Sequence, residues 1–261
     1  MDIYSILQKV RTEKPLVHHL TNWVTIYDCA NIVKVFGAAP VMAHAAEEVE
    51  DMASLASALV LNIGTLTPEF IESMKKAAKS ANKKGIPVTL DVCGAGATKL
   101  RDEKCFELLD CARIDIIKGN ASEVARIAGE EVQTKGVDSS EVEKDLIELA
   151  KHLAAKRNAT VVITGKEDIV ATKDKHIIVK NGCDMMAHVV GTGCMAASVI
   201  GAFSAVEKDL AKASAAGLAC YEIAAELAYK DSAGPGTFKV KLFDHIYNLD
   251  KEKIEKLKRV E

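Results

Sequence analysis

An α/β fold, with a mostly parallel sheet covered by helices on both faces, is the architecture this sequence predicts. Short apolar runs recur along the chain, as in ALVLNIG (58–64) and IPVTLDVCG (86–94), and such runs suit strands buried on both faces. Stretches with apolar residues at helical spacing separate them, as expected of crossover helices. No proline-rich linker, composition break or internal repeat divides the chain, so residues 1–261 are expected to form one domain.

Each element has a local reason. Residues 2–10 read as a short amphipathic helix, and PLVHHLTN (15–22) is extended and then turns. YDCANIVKVFGA (27–38) is helical and stops at Gly37, a C-cap. The next helix, 67–85, begins with Thr67 as cap and Pro68 at its first position, and ends on Gly85. Residues 86–98 give a buried strand running into a glycine loop, and 113–129 give strand, glycine turn and helix. Short strands around turns are expected over 160–182, and two long alanine-rich helices over 192–230. A glycine–proline turn at 234–236 opens what reads as the final helix, to residue 246.

Composition narrows the function. Hydrophobic residues make up 49% and charged residues 27%, the balance of a globular enzyme, with a net charge of −3. Aromatics at 5% are too few for a platform that stacks single-stranded nucleic acid. The terminal KEKIEKLKR reads as a solvated helix end. Seven cysteines without a C-x-x-C pair suggest neither a zinc knuckle nor a disulfide framework, and a reducing cytoplasm is the expected compartment. The N-terminus lacks a basic start followed by an apolar signal core. His188 and the turn at Gly191 and Gly193 break the apolar run 185–206, and Glu222 and Glu226 break 213–228, so no membrane span is expected.

In a parallel sheet the ligand sits beyond the carboxyl ends of the strands. That rule marks the chain after Ile63, Asp91, Lys118 and Thr164, and the turn at Gly191. In VVGTGC (189–194) two glycines open a helix, where backbone N–H groups and the helix dipole favour an anion. Three readings stand for it: a phosphate nest, a nucleophile at Cys194, or a tight packing turn. Asp91 closes a buried strand and reads either as a crevice carboxylate or as a turn residue. Asn120 and Glu123 have capping-box spacing, yet Asp91 and Glu123 together also suit a magnesium ion held through water. His18 and His19 are adjacent on a strand and point opposite ways, and no nearby acid or cysteine completes a zinc set. Asn22 reads as a helix cap, Met42 as core or pocket wall, and His44 has no evident partner. His152, His176 and His245 read as surface residues. Neither a Walker motif nor a complete G-x-G-x-x-G occurs.

In order along the chain, PLVHHLTNWVTIYDCANI, GAAPVMAHAAEEVEDM, ALVLNIGTL, IPVTLDVCGAGATKLR, KGNASEV, VVITGKEDIV, VVGTGCMAASVIGAF and GPGTF resemble the hydroxyethylthiazole kinase family. The resemblance runs from about Pro15 to about His245. It implies a ribokinase-like three-layer α/β/α sandwich and ATP-dependent phosphorylation of the primary alcohol of 4-methyl-5-(2-hydroxyethyl)thiazole, in thiamine salvage. It also implies a homotrimer with thiazole pockets at subunit interfaces, and Mg2+ with ATP as phosphate donor. By position, Met42 would contact the thiazole through its backbone, with Asn22 in the same pocket at the facing-subunit side. Asp91 and Glu123 would organise the metal and phosphates, and Lys118 and Thr164 would contact ATP. Gly191 would touch the substrate, and Gly191, Thr192, Gly193 and Cys194 would form the anion hole.

Cys194 occupies the place where most ribokinase-like kinases carry an aspartate as base, although cysteine is this family's usual residue. A free thiol with a pKa near ~8.5 is mostly protonated at neutral pH, so Cys194 is expected to be a weak base. Cys194→Asp is then expected to keep or raise turnover. Two departures from the family pattern stand out: Lys118 replaces an arginine, losing its fork, and DVCG replaces DPVG, which predicts a softer loop after Asp91. Kinases of hydroxymethylpyrimidine or pyridoxal are the alternative on the same fold. A transferase or hydrolase using Cys194 as nucleophile is the alternative of another class, with His188 six residues upstream as its candidate base.

Overall fold

The computed structural model describes residues 1–129 and 139–261, with the backbone alone for 139–144. Its first part runs α1 (Ile3–Glu13), β1 (Leu16–Leu20), α2 (Ile26–Phe36), β2 (Ala39–Val41), α3 (Val49–Leu55), β3 (Ala58–Asn62), α4 (Pro68–Lys84) and β4 (Val88–Asp91). There follow α5 (Lys99–Cys111), β5 (Ile116–Asn120), α6 (Ala121–Ala128), α7 (Ser139–Arg157), β6 (Thr160–Thr164), β7 (Asp168–Ala171) and β8 (His176–Val179). A 3₁₀ turn at Asp184–His188 leads into α8 (Thr192–Ser204), α9 (Leu210–Lys230), α10 (Pro235–Tyr247) and α11 (Lys251–Leu257).

The strands form one sheet in the order β2-β1-β3-β4-β5-β6-β7-β8. Strands β1 to β6 pair in parallel, and β7 and β8 are antiparallel additions. Parallel neighbours need a crossover, which here is always helical. Residues 165–167 are too few for a crossover, so β6 and β7 make a hairpin. Alternate strand residues feed opposite core layers. Val60, Ile116 and Val162 pack with α1, α2, α8, α9 and α10, whereas Leu59, Leu61, Ile117, Val161 and Ile163 pack with α3 to α7. Both faces are therefore covered, which is why the strands read as continuous apolar runs.

The helix ends follow the expected chemistry. Thr67 Oγ1 accepts from Phe70 N at 3.2 Å, and Gly37 and Gly85 close α2 and α4 in the left-handed region. The C-terminal half of α8 lies flush on the sheet: a Cβ on Gly201 would stand 2.3 Å from Val60 Cγ2. No helix of the described residues is long and apolar enough to cross a membrane.

Four elements have no counterpart in the sequence expectations: the three-residue edge strand β2, α3, α5 and α7. The end of the chain also differs. α10 is not the last helix, because α11 follows it, and the charged terminal run is not wholly solvated. Ile254 is fully buried, and Val260 then pairs antiparallel with Val179 beside β8.

Candidate active site

The carboxyl edge of the parallel strands collects the polar residues that the core excludes. β3 ends on Asn62, which sequence reasoning missed, although a polar residue closing an apolar strand is a usable signal. Its Nδ2 donates to Asp91 Oδ2 at 2.8 Å and lies 3.3 Å from Cys194 Sγ, while its Oδ1 accepts from Gly64 N at 2.8 Å. Asn22 is buried after β1. Its Nδ2 is 3.9 Å from Cys194 Sγ and its Oδ1 accepts from Val24 N at 2.9 Å. Thr25, not Asn22, occupies the N-cap of α2. Asn22 therefore holds a turn and faces the Cys194 of its own chain.

Asp91 and Lys118 end neighbouring strands and are both buried. Lys118 Nζ lies 3.4 Å from Asp91 Oδ2. Burial pushes the Asp91 carboxyl up to about 7, with Lys118 opposing. Burial alone would lower the Lys118 ammonium, but Asp91 and Glu123 outweigh it and hold it above its ordinary range. Glu123 completes the capping box of α6: Glu123 N donates to Asn120 Oδ1 at 2.9 Å, and Asn120 N donates to Glu123 Oε2 at 2.8 Å. Its Oε1 accepts from Gly94 N at 2.7 Å, so Glu123 also ties the glycine loop to α6. The loop after Asp91 is anchored at its first residue. Val92 is buried, and its N–H donates to Lys118 O at 2.9 Å, a bond that proline cannot make.

Gly191 is the N-cap of α8, with φ at 95°. A Cβ there would stand 2.7 Å from Thr25 Cγ2, so conformation and space both require glycine. No side chain caps this helix end. Thr192 Oγ1 turns away to donate to Met186 O at 2.9 Å, which leaves the opening N–H groups of the helix to an incoming anion. Lys118 Nζ lies 3.3 Å from where a Cβ on Gly193 would be, directly beneath the turn. Gly191, Thr192, Gly193 and Cys194 thus meet Asp91, Lys118 and Asn62 at one place.

Cys194 is not an ordinary thiol. A hydrogen bond from the Cys93 side chain draws it down to about 6, against the effect of burial, with Thr25, Lys118 and Asn62 acting in the same direction. The Cys93 thiol is pushed up by that same bond and by burial. These neighbours favour the thiolate more than a free thiol's surroundings do, because a free thiol lacks these donors. His188 is exposed and is not among the groups around Cys194, which disfavours the nucleophile reading.

The two sides of this centre differ in form. Toward β2, Met42 is half-buried and its carbonyl oxygen lies 3.3 Å from His44 Nδ1. His44, expected to lack a partner, packs edge-on against Trp23 with ring centroids 4.6 Å apart, and Trp23 leans on Phe70. His18 Nε2 bonds Ala43 O at 2.7 Å and so holds the loop carrying Met42. His19 is buried, which lowers its imidazole to about 4, and its Nδ1 lies 3.1 Å from Val17 O. Among the described residues, no group of three or more His, Cys, Asp or Glu side chains suits a metal ion. Of the three surface histidines, His152 and His176 are exposed, while His245 is half-buried on Asp231.

Toward β6 to β8 there is a formed cavity of about 860 Å³, whose lining includes Thr164, Gly182, Cys183, Thr192, Gly193 and Glu222. Thr164 Oγ1 lies 3.4 Å from Gly119 O, at the carboxyl end of β6. The cavity opens directly onto the glycine turn.

Known proteins are similar to this chain in sequence and fold. Residues 7–252 match the model of the hydroxyethylthiazole kinase family. The hydroxyethylthiazole kinase of Methanosarcina mazei is 54% identical over 98% of both chains. A solved structure of a hydroxyethylthiazole kinase protein from Pyrococcus horikoshii is 40% identical and superposes with a TM-score of 0.92, covering 99% of this chain and 98% of the other. A ribokinase-like superfamily protein from Enterococcus faecalis, 14% identical, superposes with a TM-score of 0.66 over 94% of each chain, a likeness of fold alone.

Proposed function

This chain belongs to the hydroxyethylthiazole kinase family, and on that footing we propose that it transfers the terminal phosphoryl group of ATP to the primary alcohol of 4-methyl-5-(2-hydroxyethyl)thiazole, for thiamine salvage. The carrying observation is the uncapped glycine turn, with Lys118 beneath it, placed between a formed cavity and the edge that holds Met42 and Asn22. The cavity takes ATP, with Thr164 and Lys118 on its phosphates. The alcohol lies by Met42, Asn22 and Gly191.

In the step itself the alcohol oxygen attacks the γ-phosphorus and the bond to the β-phosphate oxygen breaks, releasing ADP. The alcohol proton passes to the Cys194 sulfur. The N–H groups of Thr192, Gly193 and Cys194 and the Lys118 ammonium neutralise charge on the transferring oxygens. Asp91 and Glu123 would hold Mg2+. Two hard carboxylates without a third ligand suit an ion that keeps most of its waters and completes its shell with phosphate oxygens. Bound there, the ion would supply charge neutralisation and orientation of the phosphates.

A homotrimer that closes the alcohol side is part of this reading. Trp23, Val24, Tyr27 and Val190 are large apolar residues exposed on the loops around Gly191 and on α2, and a partner surface would cover them. Seven unpaired thiols suit a reducing cytoplasm. A single domain over 1–261 is also part of this reading, supported by one sheet that serves both core layers.

The test is release of ADP from ATP and magnesium, with and without the thiazole alcohol. Folded protein without a thiazole-dependent signal would sink the proposal. Hydroxymethylpyrimidine and pyridoxal in the same assay are expected to be poorer acceptors.

A further inference from the structure

The segment after α11 brings one residue, Arg259, to the wall of the cavity. After α11 the chain returns along β8: Ile178 N donates to Glu261 O at 2.9 Å, Glu261 N to Ile178 O at 3.0 Å, and Lys180 N to Arg259 O at 2.8 Å. Arg259 N donates to Asn181 Oδ1 at 2.8 Å. This backbone pairing delivers the Arg259 side chain to the cavity that also holds Thr192 and Gly193.

The guanidinium is fastened along its edges. Nε and Nη2 donate to Lys180 O at 3.0 and 2.8 Å. Nη2 and Nη1 donate to Glu226 Oε1 and Oε2 at 2.7 and 3.2 Å, as a two-pronged fork. Glu226 also accepts from Asn181 Nδ2 and Gly182 N, both at 2.9 Å, so one carboxylate ties the tail to the cavity floor. These bonds lie in the guanidinium plane, yet the side chain remains 50% exposed. A guanidinium occupied at its edges offers its flat faces. Its charge is also answered by Glu226, so it is poorly suited to reading phosphate, which the turn at α8 serves.

Position agrees with this. Lys118 lies on β5, and the segment carrying Arg259 pairs on the outer edge of β8, four strand spacings away, roughly 19 Å between backbones at the usual spacing, which two long side chains shorten. That span suits the separation of a nucleotide's terminal phosphate from its base. Resting on the nucleotide reading of this cavity, we infer that Arg259 is a binding residue for the donor, and that its flat face stacks on the nucleotide base. The C-terminal strand then serves as a base-binding element.

The test measures dissociation constants of ATP and of inorganic tripolyphosphate for the full chain and for Arg259→Ala, Arg259→Lys and Lys118→Met, with melting temperatures alongside. In Arg259→Ala, ATP binding should weaken about fivefold, as expected for a stacked cation at a half-open site, with tripolyphosphate unchanged because it has no base. Arg259→Lys should not rescue ATP binding, since lysine keeps the charge and loses the plane. That variant decides the matter if the alanine variant fails to fold. Unchanged ATP binding, equal weakening of both ligands, or full rescue by lysine would overturn the inference. Lys118→Met should weaken both ligands; if it changes neither, the nucleotide placement is wrong and the role of Arg259 falls with it.

Discussion

The proposed donor side and the proposed acceptor side of the carboxyl edge are built to different standards of completeness. Toward β8, one chain supplies a cavity with walls from strand ends, α9 and the C-terminal strand. Toward β2, the same chain offers a half-buried Met42, an aromatic cluster around Trp23, and exposed Val24 and Val190. The turn at Gly191 to Cys194 belongs to both. A chain alone should therefore bind nucleotide but lack a finished pocket for the alcohol, and assembly should control one substrate and not the other.

The strongest blow to that division falls on the shared turn. Gly191→Ala strains a backbone at φ 95° and drives a methyl group toward Thr25. Turnover should fall about 100-fold, as when an oxyanion donor is displaced, with circular dichroism unchanged. A fall of only a few-fold would remove the turn from the chemistry.

Next comes the acceptor side alone. Val24→Glu should dissociate the assembly in sedimentation equilibrium and raise the thiazole KM about tenfold, a typical cost for an interface anchor, while the ATP dissociation constant stays put. Loss of ATP binding in that variant would merge the two halves.

The proposed proton acceptor, Cys194, should make turnover respond to pH. The Cys194 thiol is lowered to about 6, so its anion is present above that pH and lost as pH falls through it. Asp91, raised to about 7 and close by, titrates with it. Turnover should drop by about tenfold per unit below this window. Cys194→Ser should lose about tenfold at neutral pH, whereas Cys194→Asp replaces one anion by another and should hold turnover. A flat profile between pH 5 and 8 would deny the sulfur any part in proton transfer.

The smallest effect tests the frame between the halves. Val92→Pro removes the bond from Val92 N to Lys118 O. Stability should fall by about 1 kcal/mol, seen as a melting temperature lower by roughly 2–4 °C, with both substrate constants intact. Unchanged stability would make that bond dispensable.

Much of this was legible in the sequence because it is local. The capping box of Asn120 and Glu123, the helix stops at Gly37 and Gly85, and the glycine turn all join residues a few positions apart. Buried runs named the central strands, because parallel sheets are apolar on both faces. What escaped depends on neighbours distant in sequence. Asn62 meets Cys194 across 132 positions, and Arg259 meets Glu226 across 33. The low Cys194 titration needs Cys93, from another strand end. β2 was too short to show a period, and the terminal run looked like solvent-facing charge because its buried Ile254 is isolated among lysines and glutamates.

Gly201 stands ten positions behind Gly191, nearly three helical turns or about 15 Å along α8. With no side chain, it sets the height at which this helix rests on Val60. A single added methyl would lift the rear of the helix and, like a lever, redirect its front. The aim of the N–H groups proposed to hold the transferring phosphate would thus be calibrated deep in the hydrocarbon interior. Repacking at Val60 or Gly201 should then read out as altered kinetics in a protein whose reacting residues are all intact.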